Sequence, residues 1–487
     1  MPSQLSALEI EEIKQDLDKP VQEAGLSAKT SIIMRVGKLD LAAGTGSFRV
    51  KEMMTRIASA LHVRIRTDVN LTNIEAICTD GKSRIADVAD LPTVGVNTER
   101  IWLLEHFADW IHDNLGIAPK YHVKAAISDS IMNNLDKPQA AKSVMKSVAN
   151  AHEEYKLARS VTVRQVHEKL DAIESRKPLY SPLFSAFGSA VACAAFVFLL
   201  GGGFYDIIGA FVGAGIGHYV RRLMFAKRLN QFFVTFISVA IAALVCTGVL
   251  RLIGLYDLVA LEHDTAYIGA MLFVVPGFPL VTGGLDIAKL DFQSGIQRLF
   301  YTLSIILMAT FGAWMVAVMV HLNPQGFATY HLEPGVLLVL RAIASFLGVW
   351  GFSVLFNSPQ RMCFVAGIIG AITNTLRLTL TDFNISPEIA AFVGALLAGL
   401  LATAWRRLVH YGKLPTFLGY PRICLTIPSI VIMVPGMYMY RSMFNLGQYE
   451  ILESLHWGIQ AFMVIICLPI GLAFARVLTD KNWRYDV

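Results

Sequence analysis

Val274-Val275-Pro276-Gly277-Phe278-Pro279-Leu280 is matched, 159 residues later, by Met433-Val434-Pro435-Gly436-Met437-Tyr438-Met439. Each places Val-Pro-Gly inside an apolar run long enough to cross a bilayer. Proline deletes a backbone donor and collides with the preceding turn, and glycine weakens the helix further. Carbonyls freed in hydrocarbon need partners, so such a break faces protein or a water-filled cavity. A lone proline kink is common packing. Two breaks at matched places favour a solute site.

Outward from these breaks, ten apolar runs of spanning length are expected. They fall at about 182–200, 204–220, 232–253, 266–283, 299–320, 335–356, 362–379, 388–405, 422–440 and 457–478. The breaks lie in the fourth and the ninth. A second match, Gly213-Ala214-Gly215-Ile216 against Gly370-Ala371-Ile372, falls 157 residues apart, close to the first offset. The runs therefore read as two sets of five. An odd number of spans per set inverts the second relative to the first, an architecture of many secondary transporters. Gly209, Gly213 and Gly217 share one helix face, which suits close helix packing. The overlapping Gly213-x-Gly215-x-Gly217 lies within a span and is no nucleotide loop.

Charge orients the set. With the N-terminus inside, fourteen Lys and Arg of the membrane module fall on the cytoplasmic side. Only Arg251, Arg341, Arg377 and Arg441 fall outside. That asymmetry fits the positive-inside rule with both termini cytoplasmic.

Before the first span the composition changes. Residues 1–178 hold 24 Lys+Arg and 24 Asp+Glu, and the remainder hold 18 and 13, which supplies the whole net charge of +5. Domains are thus expected at 1–178, 179–330 and 331–487. The whole chain of 487 residues is 54% hydrophobic and 16% charged, with mean hydropathy +0.52. Soluble proteins carry about 25% charged residues. These figures exclude a disordered chain, a disulfide scaffold and an ordinary cytosolic enzyme. Met1 to Pro20 is acidic and amphipathic, unlike a cleaved signal peptide.

The first domain reads as α+β. Helices are expected at Ser27–Ala43, Gly46–Leu61, Thr98–Asn114, Lys120–Leu135, Lys142–Tyr155 and Thr162–Ile173. A hairpin is expected about Asp80-Gly81, between Ile74–Thr79 and Ser83–Val88. No phosphate loop, HExxH pair or GxSxG elbow occurs there. His62, His106, His112, His122, His152 and His167 follow no metal-ligand spacing. Of the six cysteines, five lie in apolar segments and read as small buried hydrophobes. The expectation is no metal, no cofactor, no nucleic-acid partner and no enzymatic activity.

The polar residues near the breaks are the site candidates. Thr282 and Asp286 follow the first break, and Tyr440, Arg441 and Asn445 the second. Thr373, Asn374 and Thr375 lie in the seventh run. Charges in a bilayer are costly and usually face a bundle interior or a cavity. Asp286 and Arg441 fit either such a place or an interface, while Asp206 and His218 are expected at interfaces.

Val275-Pro276-Gly277-Phe278-Pro279-Leu280, followed by Thr282 and Asp286, resembles the signature of the threonine/serine exporter family. Gly46-Ser47-Phe48-Arg49-Val50-Lys51 with Met54 and Ile57 is similar to that family's opening cytoplasmic helix. Val434-Pro435-Gly436 with Tyr440-Arg441-Ser442-Met443 resembles an element of its second half. Thr282 stands where the family usually has Asn, and Ser442 where it has Gly. The order of soluble domain, five spans and five spans is similar too.

The resemblance implies an α-helical polytopic membrane protein, about ten transmembrane helices as two inverted five-helix repeats after a small α+β cytoplasmic domain. It also implies proton-driven export of threonine and serine across the plasma (inner) membrane. Split relatives with similar elements are associated with dicarboxylates such as succinate, which stands as the alternative. A membrane-embedded enzyme with a cytoplasmic catalytic domain and a passive channel are the other readings. Pro276, Gly277, Pro279, Pro435 and Gly436 would then offer backbone groups to a zwitterion near the midplane. Asp286 would couple the proton or pair an ammonium, and Arg441 a carboxylate. Thr282, Asn374 and Tyr440 complete the expected site. The partners would be a small solute, the lipid bilayer and, in a homo-oligomer, further copies of the chain.

Overall fold

The computed structural model describes residues 11–91, 95–117, 125–135, 161–322 and 332–484. The chain divides into two compact units. One is Met1–Lys177 with Lys289–Ser294 and Trp405–Pro421; the other is Pro178–Ala288, Gly295–Ala404 and Arg422–Val487.

In the first unit α1 (Glu11–Asp16), α2 (Leu26–Ala42) and α3 (Ser47–Ala60) precede three strands. These are β1 (Arg64–Val69), β2 (Asn73–Thr79) and β3 (Arg84–Asp90), antiparallel in the order β1-β2-β3. The Asp80-Gly81 hairpin forms as its sequence suggests. Asp80 Oδ1 accepts from the amides of Lys82 and Ser83 at 2.8 and 2.7 Å, and Gly81 takes φ +91°. Ile74, Ala76 and Cys78 of β2 alternate into the core, the period of a half-covered strand. Helices α4 (Thr98–Asn114), α5 (Ala125–Met132) and α6 (Val163–Glu174) follow. Asn97 caps α4, and Thr162 with Gln165 forms a capping box on α6. The helix expected at Lys142–Tyr155 lies outside the described residues.

The regular elements among the second unit's described residues are all helices. Its long helices are α7 (Pro182–Leu199), α8 (Phe204–Ala226) and α9 (Gln231–Ile253). A broken span comes next, from α10 (Ala266–Ala270) to α11 (Gly277–Ala288), and then α12 (Phe292–Val320). The later set is α13 (Pro334–Leu355), α14 (Gln360–Asp382) and α15 (Pro387–His410), a second broken span of α16 (Arg422–Val431) and α17 (Gly436–Gly447), and α18 (Ile451–Thr479). Among the described residues seven helices are long and apolar enough to cross a membrane, or up to nine if each bent pair is one span.

The expected second span is the exception. Helix α8 is 23 residues long but carries Asp206, His218, Arg221, Arg222 and a run of glycines, and falls short in apolar character. Gly209, Gly213 and Gly217 face α9: a Cβ on Gly213 would lie 2.6 Å from the Ala242 carbonyl oxygen, and one on Gly217 2.7 Å from the Ala242 Cβ. The two helices meet backbone to backbone, as small residues in spans permit.

Candidate functional site

Both breaks have one local geometry. At the first, the Gly277 amide donates to the Val275 carbonyl at 2.8 Å; at the second, the Gly436 amide donates to Val434 at 2.9 Å. These are three-residue turns in place of helical bonds, centred on the prolines that have no amide to give. The chain bends by 59° at the first and 47° at the second. Helix α11 starts afresh with Leu280 donating to Pro276, and α17 with Met439 donating to Pro435.

The breaks also pack on one another reciprocally. A Cβ on Gly277 would stand 2.9 Å from Val431 Cγ2, and one on Gly436 2.6 Å from Leu272 Cδ2. Val431 precedes Gly436 by the same number of residues as Leu272 precedes Gly277. So Pro276 and Gly277 are brought together with Pro435 and Gly436. Tyr440 joins them, its hydroxyl hydrogen-bonded at 2.6 Å to that of Tyr267 on α10. Both tyrosines are buried, with rings edge to face.

Polar groups from the two opening helix pairs lie nearby in the fold. Ser185 of α7 bonds His218 Nε2 of α8 at 2.9 Å, and Asn374 Nδ2 of α14 donates to Ser345 Oγ of α13 at 2.9 Å. An arginine follows each at the same spacing, Arg221 and Arg377. Arg221 Nη1 reaches the carbonyl of Phe273 beside the first break at 3.4 Å. The Nε atoms of Arg221 and Arg377 and the Oδ1 of Asn374 are buried with no hydrogen-bond partner among the described residues. Such groups are costly in a membrane interior unless something else pairs with them.

Other expected residues sit apart. Pro279 lies half-buried in the first turn of α11. Thr282 is buried and turns its hydroxyl back to the Phe278 carbonyl at 3.2 Å, bonding its own helix. Asp286 is fully buried and ion-paired with Arg298, Oδ2 to Nε 3.1 Å, where Gly283 and Gly295 let α11 and α12 touch. Arg441 stacks on Trp457, 4.6 Å from the ring centroid. Asp206 and His218 are buried within the protein, and Asp206 Oδ2 lies 2.7 Å from His263 Nδ1. Sequence reasoning missed Arg221, Arg298, Arg377, Tyr267 and His263. The shared spacing from His218 to Arg221 and from Asn374 to Arg377 was the one available signal.

Two models of the threonine/serine exporter family match the chain, one over residues 31–125 and 127–320 and the other over 341–478. The chain belongs to that family. It is the fused form, with both exporter parts in one multi-pass membrane chain. Curated relatives are distant. A "Pheromone-regulated membrane protein 10" of Debaryomyces hansenii is 23% identical over 293 residues, 56% of this chain and 27% of that protein. Its namesake in Pichia sorbitophila is 23% identical over 296 residues, 57% of this chain and again 27% of the relative. The chain thus spans about a quarter of the length of these relatives. No solved structure matches it.

In the first unit the opening motif has a definite job. Ser47 Oγ donates to Asp291 Oδ2 at 2.6 Å, as does Lys51 Nζ. Arg49 pairs with Glu105, which also takes Arg56 at 3.0 Å. Burial pushes Glu105 up, but Arg49, Arg56 and Arg406 outweigh it and hold the carboxyl below its usual range. Asp40 lacks such support: burial, against Arg49 and the Thr45 hydroxyl, pushes it up to about 6.

Proposed function

We propose that this exporter is a secondary active transporter that carries threonine, serine and similar small hydroxylated amino acids out of the cytoplasm, driven by the proton motive force. One observation carries the reading: two breaks built on the same Val-Pro-Gly turn, each glycine seated on the residues that precede the other break. Unwound backbone at the meeting point of two broken helices suits an amino acid's charged ends. The serine pairs Ser185–His218 and Ser345–Asn374 support the further reading of ten spans as two inverted sets of five. In that reading the domains are 1–178, 179–330 and 331–487, the protein lies in the plasma membrane, and both termini face the cytoplasm.

Pro276, Gly277, Pro279, Pro435 and Gly436 would offer backbone groups, with Thr282, Asn374 and Tyr440 around them. Asp286 would carry the proton through its exchange with Arg298. Arg441 would receive the carboxylate, and Arg221 and Arg377 join it as candidates.

The second reading, export of dicarboxylates such as succinate, has one observation in its favour. Arg221 and Arg377 keep buried Nε donors that two carboxylates would satisfy. Proteoliposomes loaded with labelled threonine, serine or succinate separate the two. Efflux of threonine and serine that rises with an inward proton gradient is expected. Succinate flux alone would replace the first reading with the second. Absence of gradient-dependent flux for all three would sink both.

A further inference from the structure

A cavity of about 200 Å³ lies in the membrane unit, where the chain between α9 and α10 folds back. Thr247, Arg251, Leu261, His263, Asp264 and Tyr267 line it with others. A single water needs roughly 10–15 Å³ on the same measure, so the space suits a small organic molecule. Its charges are mixed. Arg251 spends one guanidinium nitrogen on the Val320 carbonyl, Nη2 to O 2.9 Å, out of the five donors an arginine carries. Asp264 supplies a carboxylate at the same wall. His263 is committed behind it to buried Asp206, whose Oδ2 also accepts the Gly203 amide at 2.8 Å. Tyr267 contributes its side chain to the cavity while its hydroxyl is held by Tyr440, just past the second break.

We propose that this cavity is a second solute subsite, selective for a small zwitterionic amino acid. The carboxylate goes to Arg251, the ammonium to Asp264, and a side-chain hydroxyl to Thr247. The Tyr267–Tyr440 hydroxyl contact is the partition between this subsite and the breaks. It is one hydrogen bond, cheap to open and reclose as solute passes. Selectivity follows from Asp264. A zwitterion brings it an ammonium, whereas a dicarboxylate brings a second negative charge, and like charges at close range reject the wrong ligand. The inference rests on the amino-acid-export reading above and names where that solute class is sorted.

The test uses purified full-length protein carrying Leu261→Cys, with alkylation of that thiol followed by mass spectrometry. Leu261 lines the cavity but holds no polar role in it. Threonine and serine are expected to slow alkylation in a saturable way, and succinate to leave it unchanged. Adding Arg251→Gln or Asp264→Asn should raise the threonine concentration for half protection about tenfold, the loss of one charged contact. Asp264→Asn should in addition let succinate protect. Should either variant misfold, the Leu261→Cys protection alone still decides. Threonine efflux from proteoliposomes with no threonine protection at residue 261 overturns the subsite and leaves the export reading standing. Protection by succinate equal to that by threonine overturns the selectivity. Protection without any amino-acid flux keeps the subsite and defeats the export reading.

Discussion

Asp286 and Arg298 are both fully buried and ion-paired. Removing one charge of a buried pair costs about 3–5 kcal/mol. Asp286→Asn alone is therefore expected to lower stability as well as flux, and a loss of activity would not by itself mark a proton carrier. Asp286→Asn with Arg298→Gln removes both charges. It should recover most of the stability, read as thermal unfolding in detergent, while flux no longer responds to a pH gradient. Gradient-dependent flux in the stable double variant would rule Asp286 out as the coupling group. In the soluble unit two buried groups titrate with opposite signs. Asp40 keeps its proton to about pH 6 when folded, against 3.8 ordinarily, so the folded state binds more protons between those values and stability falls as pH rises through them. Burial and then Arg35 push His167 down to about 4 from 6.5, so the unfolded state binds more protons there and stability falls as pH drops through that window. Each shift of two units or so is worth about 3 kcal/mol, and over the shared range the two nearly cancel. Asp40→Asn should uncover the His167 slope, with stability rising from about pH 4 to about pH 6, and His167→Asn the reverse slope. Denaturant unfolding followed by tryptophan fluorescence reads both; two flat profiles would contradict the assignment.

At the scale of elements the breaks were the most legible part of the chain, because Val-Pro-Gly in an apolar run leaves the helix little choice. Helix α4 falls on Thr98–Asn114 as its pattern predicts, and α2, α3 and the two hairpin strands differ from expectation only by a residue or two at their ends. What pattern could not supply was pairing across the fold. The seat of Gly277 on Val431, the Asp286–Arg298 pair and the Tyr267–Tyr440 bond each join residues whose meeting depends on tertiary packing. The partners of Asp206 and His218, His263 and Ser185, were likewise not visible in the sequence. The reciprocal seats carry a symmetric prediction. Gly277→Ala meets Val431 and Gly436→Ala meets Leu272, and in each case a methyl group enters space already filled. Overpacking of this kind costs about 1–3 kcal/mol and parts the breaks. Both variants should reduce threonine efflux to a similar degree. Gly248→Ala in α9, where nothing lies within 4 Å of the added carbon, should leave efflux unchanged. Unequal effects of the two break variants would argue against a shared, symmetric site.

For the whole molecule, composition separated a charged soluble part from a charge-poor membrane part, and it divided them near Lys177. One compact unit of the fold joins Met1–Lys177 with Lys289–Ser294 and Trp405–Pro421, segments far apart in sequence. Contacts explain their membership. Ser47 and Lys51 both hold Asp291, and the rings of Trp102 and Tyr420 lie 6.1 Å apart. No local pattern announces an ion pair spanning residues 51 and 291, so this part of the architecture was unreadable in advance. Its consequence concerns coupling. The segment holding Asp291 runs directly into α11 on one side and is the start of α12 on the other, and those helices carry Asp286 and Arg298. A soluble unit that grips this turn restrains the two helices through the chain itself. Asp291→Asn removes the charge that holds Lys51 but keeps an oxygen for Ser47. The loss should be about 1–2 kcal/mol of local stability, which speeds amide exchange of the turn about fivefold to thirtyfold without unfolding the unit. Threonine efflux should change together with that exchange, while threonine protection of Leu261→Cys stays the same. Faster exchange with unaltered efflux would mean that the soluble unit stabilises the turn without governing transport.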